Sequence, residues 1–252
     1  MKKIKKLLSM VLVSVFEIKK WIDVLYFIKI KKFLKVYCIG DSHTVVFKDR
    51  SLFTELDNIY FDVTTVHGAT VSGLDNPNSK TKAGDIFKKK IQKIRPKEVV
   101  IFLVGEVDLG FVIWWRKQKY NSSLEEMYNL ALSNYKKLLM SVNKCRKVIV
   151  VSVPLPTIPD NYEIEGEVAN LRKEIKSTQQ ERTKLTLRFN KDLEMICKEN
   201  GFKFVSLDDS SLDQDTGVIK ATLLNENSMD HHYNQRLYGN LLQEELKKIL
   251  AL

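Results

Sequence analysis

The stretch KVYCIGDSH, residues 35–43, is an apolar run that ends abruptly in a glycine, a carboxylate, a hydroxyl and an imidazole. The apolar residues 36–39 predict a buried strand, and the glycine after them predicts a tight turn. Parallel strands of an open α/β sheet deliver side chains to their carboxyl edge, where ligands bind. We therefore expect Ser42 at this edge, between Asp41 and His43. The alternative is that Asp41 or Ser42 merely caps a following helix.

Four more strand patterns follow, and helical patterns separate them. The most strand-like is EVVIFLV, and a final amphipathic helix is predicted over 235–250. Strands that alternate with helices in a chain of 252 residues predict one three-layer α/β/α domain, which we place at 35–252. Its central sheet is expected to be mostly parallel and five-stranded. The four further strands are expected at 59–65, 98–104, 147–153 and 202–207.

The first 34 residues carry much of the net charge of +10 and alternate lysine clusters with apolar runs. The run at 7–16 is too short to span a bilayer, which takes about 20 apolar residues. One interpretation is an amphipathic helical segment on an anionic membrane surface, and the other is helices packed on the domain with their lysines in water. Aromatic residues among the lysines, Phe16, Trp21 and Phe27, favour the membrane.

Composition also bounds the partners and the compartment. The first 34 residues hold no arginine, so the basic charge does not resemble a nucleic-acid surface, and we predict no nucleic-acid partner. The three cysteines, Cys38, Cys145 and Cys197, have no metal-site spacing and leave one unpaired in any disulfide scheme. They indicate buried thiols of a reducing compartment. We therefore expect a cytoplasmic protein, peripheral at the inner face of the membrane.

The histidines indicate where the chemistry lies. All four fall in loops that leave strands or in the loop before the last helix, and such loops meet at one crevice of a parallel sheet. A serine becomes a nucleophile only beside a base, and the base needs a carboxylate to orient it. His232 as the base and Asp230 as its orienting carboxylate are the simplest such pair for Ser42. Within the helical pattern of 162–200, Arg188 and Asn190 could also point to the site. The four histidines are His43, His67, His231 and His232.

The order of these motifs resembles the SGNH, or GDSL-type, hydrolases. GDSH follows the first strand, a glycine loop follows the second, Gly105 to Asp108 follows the third, and an Asp/His pair precedes the last helix. The resemblance implies a flavodoxin-like fold in which Ser42 is the nucleophile and its backbone amide contributes to the oxyanion hole. A glycine of the second loop would complete that hole, Gly68 by its context and Gly73 as second choice. The resemblance implies neither a cofactor nor a metal.

Two blocks depart from the family pattern. Where the family has Gly-x-Asn-Asp, this chain places Val107 at the asparagine, and valine cannot donate a hydrogen bond to the oxyanion. An inward-pointing Glu106 would repel the developing charge. The last block, usually Asp-x-x-His, places Met229 at the aspartate, so the orienting role of Asp230 is inferred from proximity to His232. Other acids could substitute, namely Glu106, Asp108 or an aspartate within 208–215.

Three functions remain open. The first is an esterase or O-acyltransferase that acts on an acylated carbohydrate, as in bacterial capsule or surface polysaccharide biosynthesis. The second is a metal-dependent phosphoesterase that uses residues around Ser42, Asp108 and His231 as hard-metal ligands. The third is a non-catalytic carbohydrate-binding or scaffold protein. In each case the predicted site is lined by residues from the strand exits and the last loop, namely Asp41, His43, His67, Gly73, Gly105, Glu106, Asp108 and His231.

Overall fold

The computed structural model describes most of the predicted domain. The described residues are 33–96, 98–142, 147–160, 175–227 and 230–250. The basic segment lies almost wholly outside them, and its association with a membrane stays a prediction. None of the described helices is both long enough and apolar enough to cross a lipid bilayer.

A five-stranded parallel sheet forms the centre of the molecule, as the sequence predicts. Its strands are β1 (Leu34–Gly40), β2 (Ile59–Thr65), β3 (Val99–Leu103), β4 (Lys147–Val151) and β5 (Lys203–Val205). They pair in the order β2-β1-β3-β4-β5. The chain thus crosses from β2 over β1 to reach β3, which creates a topological switch point at the carboxyl end of β1. Strand β1 begins at Leu34, one residue before the predicted domain start.

Helices cover both faces of this sheet. They are α1 (Ala83–Ile91), α2 (Ile113–Tyr120), α3 (Leu124–Met140), α4 (Gln179–Glu199), the short α5 (Asp208–Ser211) and α6 (Gln235–Leu250). A π-helical turn, Asp108–Val112, leads into α2. A small antiparallel hairpin pairs β6 (Leu212–Asp213) with β7 (Val218–Ile219). The three-layer α/β/α prediction is therefore confirmed.

Alternation along the strands divides the core in two. Tyr37 and Ile39 of β1 face the side covered by α1, α3 and α4, whereas Val36 and Cys38 face the side covered by α6. Successive side chains of a strand point to opposite faces, so a fully covered sheet needs apolar residues at every position. This requirement explains why the strands are continuous apolar runs.

Several boundaries differ from the predicted ones because capping and packing set them. From the sequence alone, the basic helix before β3 is predicted around 86–94. It begins three residues earlier, at Ala83, where Gly84 packs against the Leu74 carbonyl. The long helical pattern of 162–200 contains α4 from Gln179 onward, because Thr178 and Glu181 form a reciprocal capping box there. Residues 161–174 lie outside the described chain. Cys38 and Cys197 are buried free thiols, as predicted, and Cys145 is not among the described residues.

The register brings three strand ends to one level. Gly40, the last residue of β1, pairs with Thr65 at the end of β2 and with Leu103 at the end of β3. The loops that carry Ser42, His67 and Glu106 therefore leave the sheet side by side.

Candidate active site

Ser42 lies at the switch point, at the start of a short helical turn over Ser42–Lys48. Asp41 caps this turn by accepting a hydrogen bond from the His43 amide, so the capping interpretation is correct for Asp41. Thr44 fixes the turn to the sheet, because its hydroxyl donates to the Asp41 carbonyl at 2.7 Å and meets the Thr65 hydroxyl at 2.8 Å. This segment does more than cap a helical turn, because Ser42 also lines a cleft.

The cleft has a volume of about 170 Å³ and gathers side chains from several parts of the chain. Ser42 and His43 come from the β1 exit, His67 from the β2 exit, and Asp230 and His232 from the loop before α6. Five further lining residues were not predicted from the sequence. Gln235 and Tyr238 could have been found, because the first turn of α6 begins directly after the Asp/His loop. The five are Val45, Val46, Tyr233, Gln235 and Tyr238.

Asp230 and His232 form a hydrogen-bonded pair. Asp230 Oδ1 lies 2.5 Å from His232 Nδ1 and accepts the His232 backbone amide at 3.0 Å. The other carboxylate oxygen accepts from Asn225 at 3.2 Å. Partial burial alone would raise the pKa of Asp230, but the hydrogen bonds from His232 hold it below its ordinary value. An ionised Asp230 thus fixes the ring with Nδ1 protonated, because a carboxylate only accepts hydrogen bonds.

The environment of His232 suits a base. Burial lowers the pKa of His232, and the neighbouring His43 lowers it further, against the opposing effect of Asp230. The ring is therefore neutral at neutral pH. Its Nε2 is buried and has no hydrogen-bond partner among the described residues. This nitrogen is available to accept a proton inside the cleft.

The backbone amides near Ser42 are candidates for an oxyanion hole. Gly68 occupies the third position of a turn closed by the Ala69 amide and the Val66 carbonyl, and its φ of +68° fits a type II turn. The amides of Ser42 and Gly68 donate no hydrogen bond within the described chain. Gly73, the second choice from the sequence, is buried where an added Cβ would lie 2.5 Å from Thr70 Oγ1, and it does not line the cleft.

Asp108 holds the glycine loop in place. Its carboxylate accepts the amides of Val71 at 2.6 Å and Ser72 at 3.1 Å, and Asn134 of α3 donates to the carbonyls of the same two residues. Burial raises the pKa of Asp108 to about 6, although these hydrogen bonds oppose the rise. Asp108 is thus bound to the glycine loop and does not orient the histidine, whose partner is Asp230.

Glu106 lies beneath the site. Its side chain is buried, and a Cβ added to Gly110 would lie 2.7 Å from Glu106 Oε1. The carboxylate is near enough to His232 and Tyr233 to raise the pKa of both. Val107, at the position of the family asparagine, is half-buried. The third block therefore supplies a buried carboxylate near the histidine and no amide side chain at position 107.

Gly105 and Asp41 connect two strand exits. The Gly105 amide donates to Asp41 Oδ2 at 3.0 Å, across 64 residues of sequence. The φ of Gly105 is +132°, and an added Cβ would lie 2.9 Å from the Val153 side chain. A larger residue would therefore disturb the contact between the first and third blocks.

The two residues of α4 that were predicted to point to the site do not line the cleft. Arg188 is exposed on α4 and forms a two-pronged ion pair with Glu125 of α3, at 2.9 and 2.5 Å. Asn190 is buried and binds the backbone of Val153 twice: its side-chain oxygen accepts the Val153 amide, and its side-chain nitrogen donates to the Val153 carbonyl. It also donates to Asp208 at 2.8 Å, so this aspartate is bound away from His232. An amphipathic pattern alone could not tell which helix face meets the site.

His231 stands beside the base. Its ring centroid lies 4.2 Å from that of His232, and its carbonyl accepts the Thr157 hydroxyl at 2.6 Å. Within the described ranges, only Asp230, His231 and His232 bring three ligand-type atoms within 4.8 Å of one another. Because Asp230 Oδ1 already accepts two hydrogen bonds from His232, we interpret the group as an Asp–His pair with a neighbouring ring. Asp41 and Asp108, the other ligands of the metal alternative, are bound to backbone amides.

Comparison with known proteins identifies the fold. Neither a protein-family model nor a curated protein sequence matches the chain. Among solved structures, a GDSL-like lipase of Bacteroides thetaiotaomicron superposes with a TM-score of 0.54 at 16% identity, covering 88% of this chain and 89% of that chain. A carbohydrate acetylesterase of Sinorhizobium meliloti gives 0.54 at 13% identity, covering 86% and 98%. An aryl esterase of M. smegmatis gives 0.52 at 16% identity, covering 86% and 98%. The chain has the GDSL-type hydrolase fold that the sequence resemblance implied.

Proposed function

We propose that the chain is a serine-dependent ester hydrolase or O-acyltransferase that acts on an acylated carbohydrate. The observation that carries this proposal is the shared cleft of Ser42 and the neutral, Asp230-bound His232. His232 Nε2 accepts the proton of Ser42 Oγ as this oxygen attacks the acyl carbon, and Asp230 stabilises the imidazolium that forms. The amides of Ser42 and Gly68 then stabilise the oxyanion.

The proposed substrate class follows from the cleft and the structural relatives. A volume of about 170 Å³ accommodates a short acyl group such as acetyl. One relative of the same fold is a carbohydrate acetylesterase, which favours a sugar ester over a long-chain lipid. We place the reaction in bacterial capsule or surface polysaccharide biosynthesis on the sequence resemblance.

Labelling with a fluorophosphonate probe tests this proposal, because only an activated serine reacts. We expect wild-type protein to be labelled, and Ser42→Ala and His232→Ala proteins of unchanged circular dichroism to remain unlabelled. Hydrolysis of an aryl acetate should survive a chelator. Hydrolysis of an aryl phosphate that a chelator abolishes and Ser42→Ala leaves intact would instead identify the metal-dependent phosphoesterase class. A folded wild-type protein that neither labels nor turns over, yet binds glycan, would identify the non-catalytic class.

Replacing Val107 by asparagine should raise kcat about ten- to hundredfold, because the amide restores an oxyanion donor whose removal costs about 10²–10³-fold in a serine protease. Steady-state hydrolysis of the aryl acetate measures the gain. Val107→Leu is the matched control, since it changes the side chain without adding a donor. An asparagine variant no faster than the leucine variant would show that backbone amides alone complete the hole.

We further propose that residues 1–34 hold the protein peripherally at the cytoplasmic face of an anionic membrane. The lysine clusters and the interspersed aromatics support this role. Full-length protein should sediment with vesicles that contain phosphatidylglycerol, and protein lacking residues 1–34 should stay in the supernatant. Equal sedimentation of the two forms would contradict the proposal, as would full-length protein that ignores the vesicles.

A further inference from the structure

His43, which lines the cleft, belongs to a second aspartate–histidine pair built like the first. Asp41 Oδ1 accepts the His43 amide at 3.0 Å and lies 3.2 Å from His43 Nδ1. Asp230 has the same relation to His232, two residues later in each case. Since a carboxylate only accepts, each ring has Nδ1 protonated and directs Nε2 away from its aspartate.

The two histidine rings lie side by side at a tilt. The centroids of His43 and His232 lie 4.7 Å apart, with 53° between the ring planes. His43 is only 4% exposed, so little water screens a charge on its ring. The mechanism proposed for Ser42 uses His232 and leaves His43 without a role.

The surroundings of Asp41 favour a proton on His43. The Asp41 carboxylate is fully buried, and its other oxygen accepts the Gly105 amide. A buried carboxylate is costly unless an opposite charge compensates it, and the His43 ring beside it can carry that charge. Two rings at this distance titrate as a coupled pair, because the first proton disfavours the second.

Every element around His232 contributes a titratable group. The β1 exit supplies Asp41 and His43, the β2 exit His67 and the β3 exit Glu106. The loop before α6 supplies Asp230, His231 and Tyr233, and α6 itself supplies Tyr238. Of these groups, Asp230 and Glu106 raise the pKa of His232 and His43 lowers it.

We propose that His43 is a positioning residue that keeps His232 neutral and so extends catalysis toward acidic pH. The claim that His43 keeps His232 neutral does not depend on the proposed function, whereas the claim about catalysis rests on it. In a family whose first block names leucine at this position, the histidine gives Ser42 a base that stays competent at lower pH.

Nuclear magnetic resonance titration of the histidine rings in the full-length protein tests the protonation part. In His43→Gln protein, the titration midpoint of His232 should move to higher pH than in wild type. Asp41→Asn should cause a shift in the same direction, because the charge on His43 loses its partner. His67→Gln is the matched control, which removes another cleft histidine and should leave the His232 midpoint in place. An unchanged midpoint in folded His43→Gln protein would overturn the inference.

Wild-type protein gives a result even if the variants fail to fold. The ring signals of His232 should report a second, smaller step as His43 titrates, since the two rings are coupled. A single-step curve at His232 would overturn the coupling.

The pH profile of kcat/KM tests the catalytic part. The acid limb of His43→Gln should lie at higher pH than that of wild type. As the pH falls from the variant's midpoint to that of wild type, the ratio of wild-type to variant activity should therefore grow by up to about tenfold per pH unit. A purely structural role would lower activity by the same factor at every pH. If no ester is turned over, the proposed function fails, whereas the resonance titration still tests whether His43 lowers the titration midpoint of His232.

Discussion

Replacing Ser42 by alanine is expected to lower kcat for the aryl acetate by about 10⁴- to 10⁶-fold, because the serine and its base act as a unit. The loss should appear in kcat rather than in KM, since the alanine variant keeps the cleft walls that bind substrate. Burst and steady-state kinetics at saturating substrate measure it. The melting temperature should change little, because a hydroxyl at the cleft contributes no packing to the core.

The expected losses are not additive. His232→Ala alone should cost nearly as much as Ser42→Ala, and the double variant should be no slower than the worse single variant. Arg188→Gln, on the exposed α3–α4 surface, is the control that should retain wild-type kcat. Independent, multiplying losses from Ser42→Ala and His232→Ala would mean that the two side chains do not act in one step.

The largest expected effect on stability comes from replacing Gly40 by alanine. The added Cβ would lie 1.7 Å from the Leu103 carbonyl oxygen and 2.9 Å from Thr44 Cγ2. Strand β1 lies between β2 and β3, so moving away from β3 would break its pairing with β3 and press it into β2. We expect a loss of about 3 kcal/mol or more in the free energy of unfolding, the high end for overpacked sites.

Urea denaturation followed by circular dichroism measures this loss. Gly201→Ala is the matched control, because Gly201 has a φ of +71° but no atom within 4 Å of an added Cβ. This control should lose only about 1 kcal/mol, from backbone strain alone. A Gly40→Ala protein as stable as Gly201→Ala would mean that the sheet accommodates the methyl group.

The strands were predictable because burial on both faces forces continuous apolar runs, and each predicted run overlaps an observed strand. Which side chains point into the site was less predictable. The helical pattern around Arg188 and Asn190 shows that one face is buried, but it does not say whether that face meets the cleft or the sheet. The anchoring role of Asp108 depends on a loop 36 and 37 residues away, which no local pattern reveals.

The loop before α6 shows a different limit. The family spacing places the orienting aspartate three residues before the histidine, yet Asp230 reaches His232 from two residues away. It does so because an aspartate can accept both the amide and the ring nitrogen of a residue two positions later. Spacing alone misses this solution, whereas the donors and acceptors within a tight turn explain it.

The ends of β1, β2 and β3 lie side by side, and this arrangement has a consequence for how the chain folds. The contacts that join the oxyanion loop and the first block to the third block span large sequence distances, such as the 64 residues between Gly105 and Asp41. No local segment can assemble this arrangement early, because the closing entropy of each long loop must first be repaid by strand pairing. The site should therefore be completed last during refolding. After dilution from denaturant, turnover should recover more slowly than the helical signal in circular dichroism.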